Sequence, residues 1–348
     1  MGDRGIAGET KQLLAKGVGP QGTMVRTGFA RRALALAAPS TASSSTTPPN
    51  EAGMTAINAG DWKLTWVDPA KSMAGEGGFG CTYKGQHTKS ALVAAVKLFP
   101  AHNEFRGECR HEVEMYAFIS SVDDQRRFLH IMESGVDAAI PYIVMPWAGI
   151  SLSGFWKQQT EAGLTAKLDA GQVVSAVVIQ TADALRFLHE KSVVHTDIKP
   201  SNLMIRGDTM QIVIIDFNAA ERTDIENWSP RHSIYSTFPY RAPELWARFQ
   251  RRLHPSPTRE LITPGIDIWS YGVTCIETIR GGASLFGASG DEVQAGTAIV
   301  EFARSTIALE RLVGTLPRWV GSLENTHEIV TCAMSKTPGD RFLRIVMR

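Results

Sequence analysis

Residues 193–205 read VVHTDIKPSNLMI. Two apolar runs flank a polar stretch that contains one proline. A polar loop braced by apolar elements on both sides more often carries function than it fills space. Asp197 can accept a proton from a hydroxyl group. Asn202, five residues on, offers an amide oxygen. The plain alternative is a loop capped by its own Asx side chains.

The next apolar run, IVIIDFNAA (212–220), ends in a second carboxylate, Asp216. Four β-branched residues in a row suit a buried strand. A carboxylate at the end of such a strand is either capped and structural or faces a site. Asn202 and Asp216 together are hard oxygen donors of the kind Mg²⁺ takes alongside phosphate oxygens.

Working toward the N-terminus, LVAAVKLF (92–99) places Lys97 inside an apolar run, facing either solvent or a site. The segment GECRHEVEMYAFISSV (107–122) has helical spacing. Its Glu108, Glu112 and Glu114 all compete as a carboxylate partner for Lys97. Glu112 precedes Met115, Tyr116 and Ile119 with the spacing of a helix packed on a sheet, which selects it. AGEGGFGCTYKG (74–85) holds G-x-G-x-x-G at Gly75, Gly77 and Gly80. Glycines let a backbone approach phosphates closely. A dinucleotide site would need a helix to start there. A β-like run follows instead, which predicts a hairpin flap, with an ordinary glycine-rich turn as the alternative.

The bulk numbers set limits. The chain has 348 residues and a formal net charge of +1. That balance gives no electrostatic case for nucleic acid or an anionic membrane as a partner. No apolar run reaches the roughly 18 residues of a membrane span. Four scattered cysteines without a C-x-x-C pair argue against a zinc site or a disulfide framework and fit a reducing compartment. Residues 1–60 hold one aromatic residue, Phe29, while every tryptophan and tyrosine lies later. With APSTASSSTTPPN at 38–50, this part reads as a disordered leader, and its Arg, Ala and Ser content leaves a targeting segment as the alternative. The folded part is expected from near Asp61, as a small β-rich part followed by a larger helical one.

In chain order, the glycine loop, AAVK, the helix with Glu112, HTDIKPSN, IDFN, YRAPE and DIWSYGV together resemble the eukaryotic-type protein kinases over roughly 62–348. The resemblance implies an α+β, bilobal fold: an N-lobe at 61–145, a hinge at 146–149 and a C-lobe at 150–348. It implies ATP as the phosphoryl donor and Mg²⁺ as its metal. Gly75, Gly77 and Gly80 would cover the phosphates, and Lys97 would hold them while pairing with Glu112. Met145 would back the adenine site, with Trp147 and Ala148 in the hinge. Asp197 would orient and deprotonate the acceptor hydroxyl, Lys199 would touch the γ-phosphate, and Asn202 and Asp216 would bind the metal. Glu244 would pair with Arg341, and Asp267 would brace the catalytic loop from below.

DIKPSN, with Lys199 two residues after Asp197, and Thr237 in STFPYRAPE resemble the Ser/Thr class, implying protein substrates and a cytoplasmic location, or an organellar one if the leader targets. Two other readings stand beside it. A small-molecule kinase of the aminoglycoside-phosphotransferase type shares H-x-D-x-x-x-x-N, but the APE and DIWSYGV motifs and Lys199 speak against it. A pseudokinase binding module usually lacks a lysine, aspartate or metal ligand that this chain retains.

The chain departs from the family pattern in several places. Thr196 replaces the arginine that commonly binds an activation-loop phosphate, so activity is expected not to depend on one. Thr82 replaces a valine that packs on adenine. Asn218 replaces a glycine, and asparagine is expected there as the residue that tolerates φ > 0. A stretch longer than the family norm, ARFQRRLHPSPTRELITP (247–264), carries Arg248, Arg251 and Arg252 as a contact for an acidic partner or as a solvated loop.

Overall fold

The computed structural model describes residues 57–64, 73–76, 80–90, 92–162, 170–206, 209–225, 236–250, 261–287, 292–320, 323–324 and 326–343. Residues 1–56 of the 1–60 leader, Gly77, Arg251 and Arg252 fall outside the described residues.

Contacts divide the chain into two units. The first comprises residues up to Gly107 together with Ser134–Val144. It is built on a sheet of β1 (Ile57–Ala59), β2 (Trp62–Leu64), β3 (Met73–Glu76), β4 (Cys81–His87), β5 (Val93–Leu98), β6 (Glu133–Gly135) and β7 (Tyr142–Pro146). The strand order is β1-β2-β4-β5-β7-β6, with β3 on β4. The sheet begins at Ile57, ahead of the start expected near Asp61. β4 alternates buried and exposed residues, the period-2 signature of a half-buried strand. Its inward residues join Trp62, Leu64, Val96, Leu98 and Val144 in one apolar core. β3 and β4 form the expected hairpin, with Gly75 opposite Thr82 and Glu76 opposite Cys81.

The second unit comprises Glu108–Glu133 and the chain from Met145 onward. The division differs from the contiguous lobes expected from the sequence, because α1 (Asn103–Val122) falls in this unit from Glu108 onward. Tyr116 packs edge-on against Phe217 at 5.0 Å between ring centroids, and Arg127 binds Asp123 and Asp183. After β8 (Ile150–Ser151) come α2 (Leu152–Ala162) and α3 (Ala170–Glu190). β9 (Val193–Val194) leads into the loop 195–202, and β10 (Leu203–Arg206) and β11 (Gln211–Ile214) form a hairpin beyond it. β12 (Glu221–Arg222) returns to pair with β9.

The core of this unit is α5 (Pro264–Ile279), which follows α4 (Pro243–Gln250). Every residue of α5 from Gly265 to Thr278 is buried, the mark of a helix enclosed on all sides. Gly272 makes that possible on one face, where an added Cβ would stand 2.7 Å from Met334 Cγ. Tyr271 ties α5 to α3 by donating to the Val178 carbonyl at 3.0 Å. α6 (Glu292–Arg304), α7 (Thr306–Thr315) and α8 (Thr326–Ala333) complete the packing around Trp246 and Trp269. Among the described residues, no helix is long and apolar enough to cross a membrane.

Candidate active site

Gly75, Thr82 and Lys97 line up across neighbouring strands of the first unit's sheet. Antiparallel register sets Gly75 opposite Thr82, and Thr82 opposite Lys97. Residues directly opposed in this way point to the same side. Lys97 is 6% exposed despite its charge, and its ammonium lies 5.3 Å from the Phe99 ring centroid. Gly80 is required by space: an added Cβ would sit 2.3 Å from the Leu98 carbonyl oxygen.

In the second unit, the loop after β9 turns on Asp197, whose carboxylate is fully engaged. Its Oδ1 accepts from the Thr237 amide at 2.9 Å and from the Thr237 hydroxyl at 2.7 Å. Its Oδ2 accepts from Lys199 Nζ at 2.6 Å and from Asn202 Nδ2 at 3.2 Å. Lys199 also donates to Thr237 Oγ1 at 2.6 Å, which closes a ring of three side chains. Charge-assisted bonds of this length fix both side-chain rotamers.

Asn202 Nδ2 is committed to Asp197, since it also donates to the Asp197 carbonyl at 2.8 Å. That leaves Oδ1 of Asn202 as the acceptor available to a cation. The Ile215 amide donates to the Asn202 carbonyl at 3.0 Å, which brings the residue before Asp216 beside Asn202. Each of the two residues carries a hard oxygen donor. Asp216 holds φ 70°, a left-handed conformation that aspartate tolerates better than most residues.

The loop is anchored from below, as expected, by Asp267 of α5. This fully buried carboxylate accepts from the amides of His195 at 2.8 Å and Thr196 at 2.7 Å, and from His189 Nε2 at 2.9 Å. The Asp197 amide donates to His195 Nδ1 at 3.3 Å, so the proton of that ring sits on Nε2, which donates to the Ile215 carbonyl at 3.1 Å. One histidine thus links the loop to the strand that carries Asp216.

Glu112 of α1 is fully buried, Glu108 is half-buried and Glu114 is exposed. Tyr116 shares its surroundings. Burial, then the carboxylates of Glu112 and Asp216, hold its phenol well above the ordinary tyrosine value. The Asp216 amide donates to that phenol oxygen at 3.3 Å.

Farther along, Arg341 grips Glu244 through two bonds, at 2.7 and 3.0 Å, and donates to the carbonyls of Gly265 and Ser335. Met145 and Ala148 are buried and Trp147 is half-buried. Gly149, at φ 94°, follows them where an added Cβ would meet the Ile205 carbonyl oxygen at 2.2 Å. A recess of about 450 Å³ adjoins the loop 195–202, lined in part by Trp156, Pro200, Pro239, Tyr240 and Glu277.

One expectation is overturned. Asn218 does not adopt a left-handed backbone; that conformation belongs to Asp216. Asn218 lies in the 3₁₀ turn Phe217–Ala219, where its amide donates to the Glu108 carbonyl at 3.2 Å. Its value there is the side-chain bond, which glycine lacks. The roles of His189 and Tyr116 had no local signal, because each depends on a partner distant in sequence.

A family model for the protein kinase domain matches residues 70–342. The chain belongs to the protein kinase domain family. Its relatives include mouse Aurora kinase C (Mus musculus), 29% identical over 213 residues, or 60% of this chain and 67% of that protein. An Aurora kinase of Patiria pectinifera is 27% identical over 226 residues, covering 64% of this chain and 50% of that protein. A probable serine/threonine-protein kinase of Clostridium acetobutylicum is 27% identical over 212 residues, covering 60% of this chain and 29% of that protein. The chain thus spans half of the Patiria relative's length and under a third of the bacterial one's.

Proposed function

We propose that the chain is an ATP-dependent protein kinase that phosphorylates serine and threonine hydroxyls. The observation that supports this reading best is the ring of Asp197, Lys199 and Thr237, which sets a carboxylate and an ammonium side by side in one fixed geometry. Asp197 would orient the acceptor hydroxyl and take its proton. Lys199 would offset negative charge on the transferring phosphoryl group. Such transfer needs positioning and charge neutralisation more than covalent catalysis.

Gly75, Gly77 and Gly80 would enclose the nucleotide phosphates, and Lys97 would hold them. Met145, Trp147 and Ala148 would receive the adenine. Asn202 and Asp216 would hold Mg²⁺, which supplies charge neutralisation for the phosphate oxygens when bound. The recess beside Pro200 and Pro239 would seat the acceptor polypeptide, since Pro239 lies two residues beyond Thr237. Incubation with Mg-ATP and a generic basic protein, followed by phosphoamino-acid analysis, should yield phosphoserine and phosphothreonine. Phosphotyrosine as the main product would overturn the acceptor assignment.

A further inference from the structure

Thr196 holds φ 67°, in the left-handed region where a β-branched side chain is an outlier. A strained residue persists only where its surroundings over-determine it. Here the surroundings are two short bonds on a residue only 3% exposed. The Thr196 amide donates to Asp267 Oδ1, and its hydroxyl donates to the Ala219 carbonyl, both at 2.7 Å. Asp267 belongs to the enclosed helix α5, and Ala219 ends the turn that follows Asp216. A single residue therefore joins the most buried helix to the far side of the metal-ligand candidate. On the near side, His195 holds the Ile215 carbonyl at 3.1 Å. His111 Nε2 adds a bond to the Ala220 carbonyl at 2.9 Å.

We infer that Thr196 is a positioning residue: its hydroxyl clamps the turn after Asp216 to the catalytic loop and so fixes where the Asp216 carboxylate stands. This rests on the protein kinase reading for its consequence and on geometry for its existence. An arginine at this position has no hydroxyl to make the clamp. Serine keeps the donor, whereas valine keeps the shape and the β-branching but loses the donor.

The test compares Thr196→Val with Thr196→Ser in the full chain by steady-state kinetics and by hydrogen exchange of the segment 217–222 without nucleotide. The valine variant should lose about tenfold or more in kcat, as expected when one buried carbonyl is left without its donor, with KM for the protein acceptor unchanged. Its segment 217–222 should exchange faster. The serine variant should stay within about twofold of the native chain in both readouts. A valine variant with native kcat and native exchange would overturn the clamp. If the native chain transfers no phosphate, the kinase reading falls, and the exchange comparison alone still decides the clamp. If the valine variant fails to fold, Thr196→Ala set against Thr196→Ser carries the same comparison.

Discussion

Replacing Asp267 by asparagine removes one acceptor from the anchor beneath the loop that carries Asp197. The native carboxylate receives three donors at 2.7–2.9 Å from a position with no exposure to solvent. Asparagine can keep one oxygen. The better orientation leaves it on His195 and His189 and turns the new NH₂ toward the Thr196 amide, donor against donor. One charge-assisted bond is lost, at about 1.5–3 kcal/mol, and a buried N–H is orphaned, at about 1–3 kcal/mol. Part of this is recovered by relaxation, so the expected loss is about 3 kcal/mol. Thr196 also loses the bond that holds it at φ 67°, so kcat should drop by more than about tenfold. Urea unfolding followed by tryptophan fluorescence is a suitable assay, because Trp269 is buried two residues further along the same helix. A midpoint shift worth less than about 1 kcal/mol at unchanged m would refute the reasoning.

Other outcomes follow from the same contacts. Arg341→Met strands the Glu244 carboxylate and the Gly265 carbonyl and should cost about 3–5 kcal/mol by urea unfolding, with Arg341→Lys restoring less than half because the two-pronged bond is lost. Asn218→Gly removes the bond to Glu108 but no direct contact with the reacting groups, so turnover should stay within about tenfold, or about 1.4 kcal/mol of barrier; a gain of several orders of magnitude would show that Asn218 restrains the enzyme. Burial raises the Glu277 carboxyl above its ordinary value of 4.5, against opposing bonds from Leu285, Tyr240 and Ser284. A raised carboxyl favours the protonated folded state, so its stabilisation is complete below pH 4.5 and is lost as pH rises through the raised value. Glu277→Gln should therefore flatten the fall in unfolding midpoint above pH 4.5, and an unchanged slope would assign that fall to other groups.

What the sequence made legible was local. The loop residues Asp197, Lys199 and Asn202 lie within six positions of each other, so their chemistry could be read from one short string. Apolar runs such as the one around Lys97 marked strands, and the spacing of Met115, Tyr116 and Ile119 marked a helix. Motif order carried the long-range pair Glu244–Arg341, which spacing alone does not bring together. The bond from Thr196 to Ala219 had no such signal. A threonine before Asp197 registered only as a missing arginine, because a hydroxyl's acceptor 23 residues away is a property of the folded chain. Asn218 was read through its backbone tolerance, whereas its side chain makes the contact that matters. The grouping of 108–133 with the second unit was likewise hidden, since it depends on which rings and ion pairs α1 meets.

The central claim is that Asp197 serves phosphoryl transfer to a protein hydroxyl. Radiolabel transfer from Mg-ATP to a generic basic protein, measured for the native chain beside Asp197→Asn, tests it most directly. Asparagine keeps the size and most of the bonds of Asp197 but accepts no proton, so transfer should fall by about 10²-fold or more. Equal transfer by the two chains, or none above background by the native chain, would contradict the account.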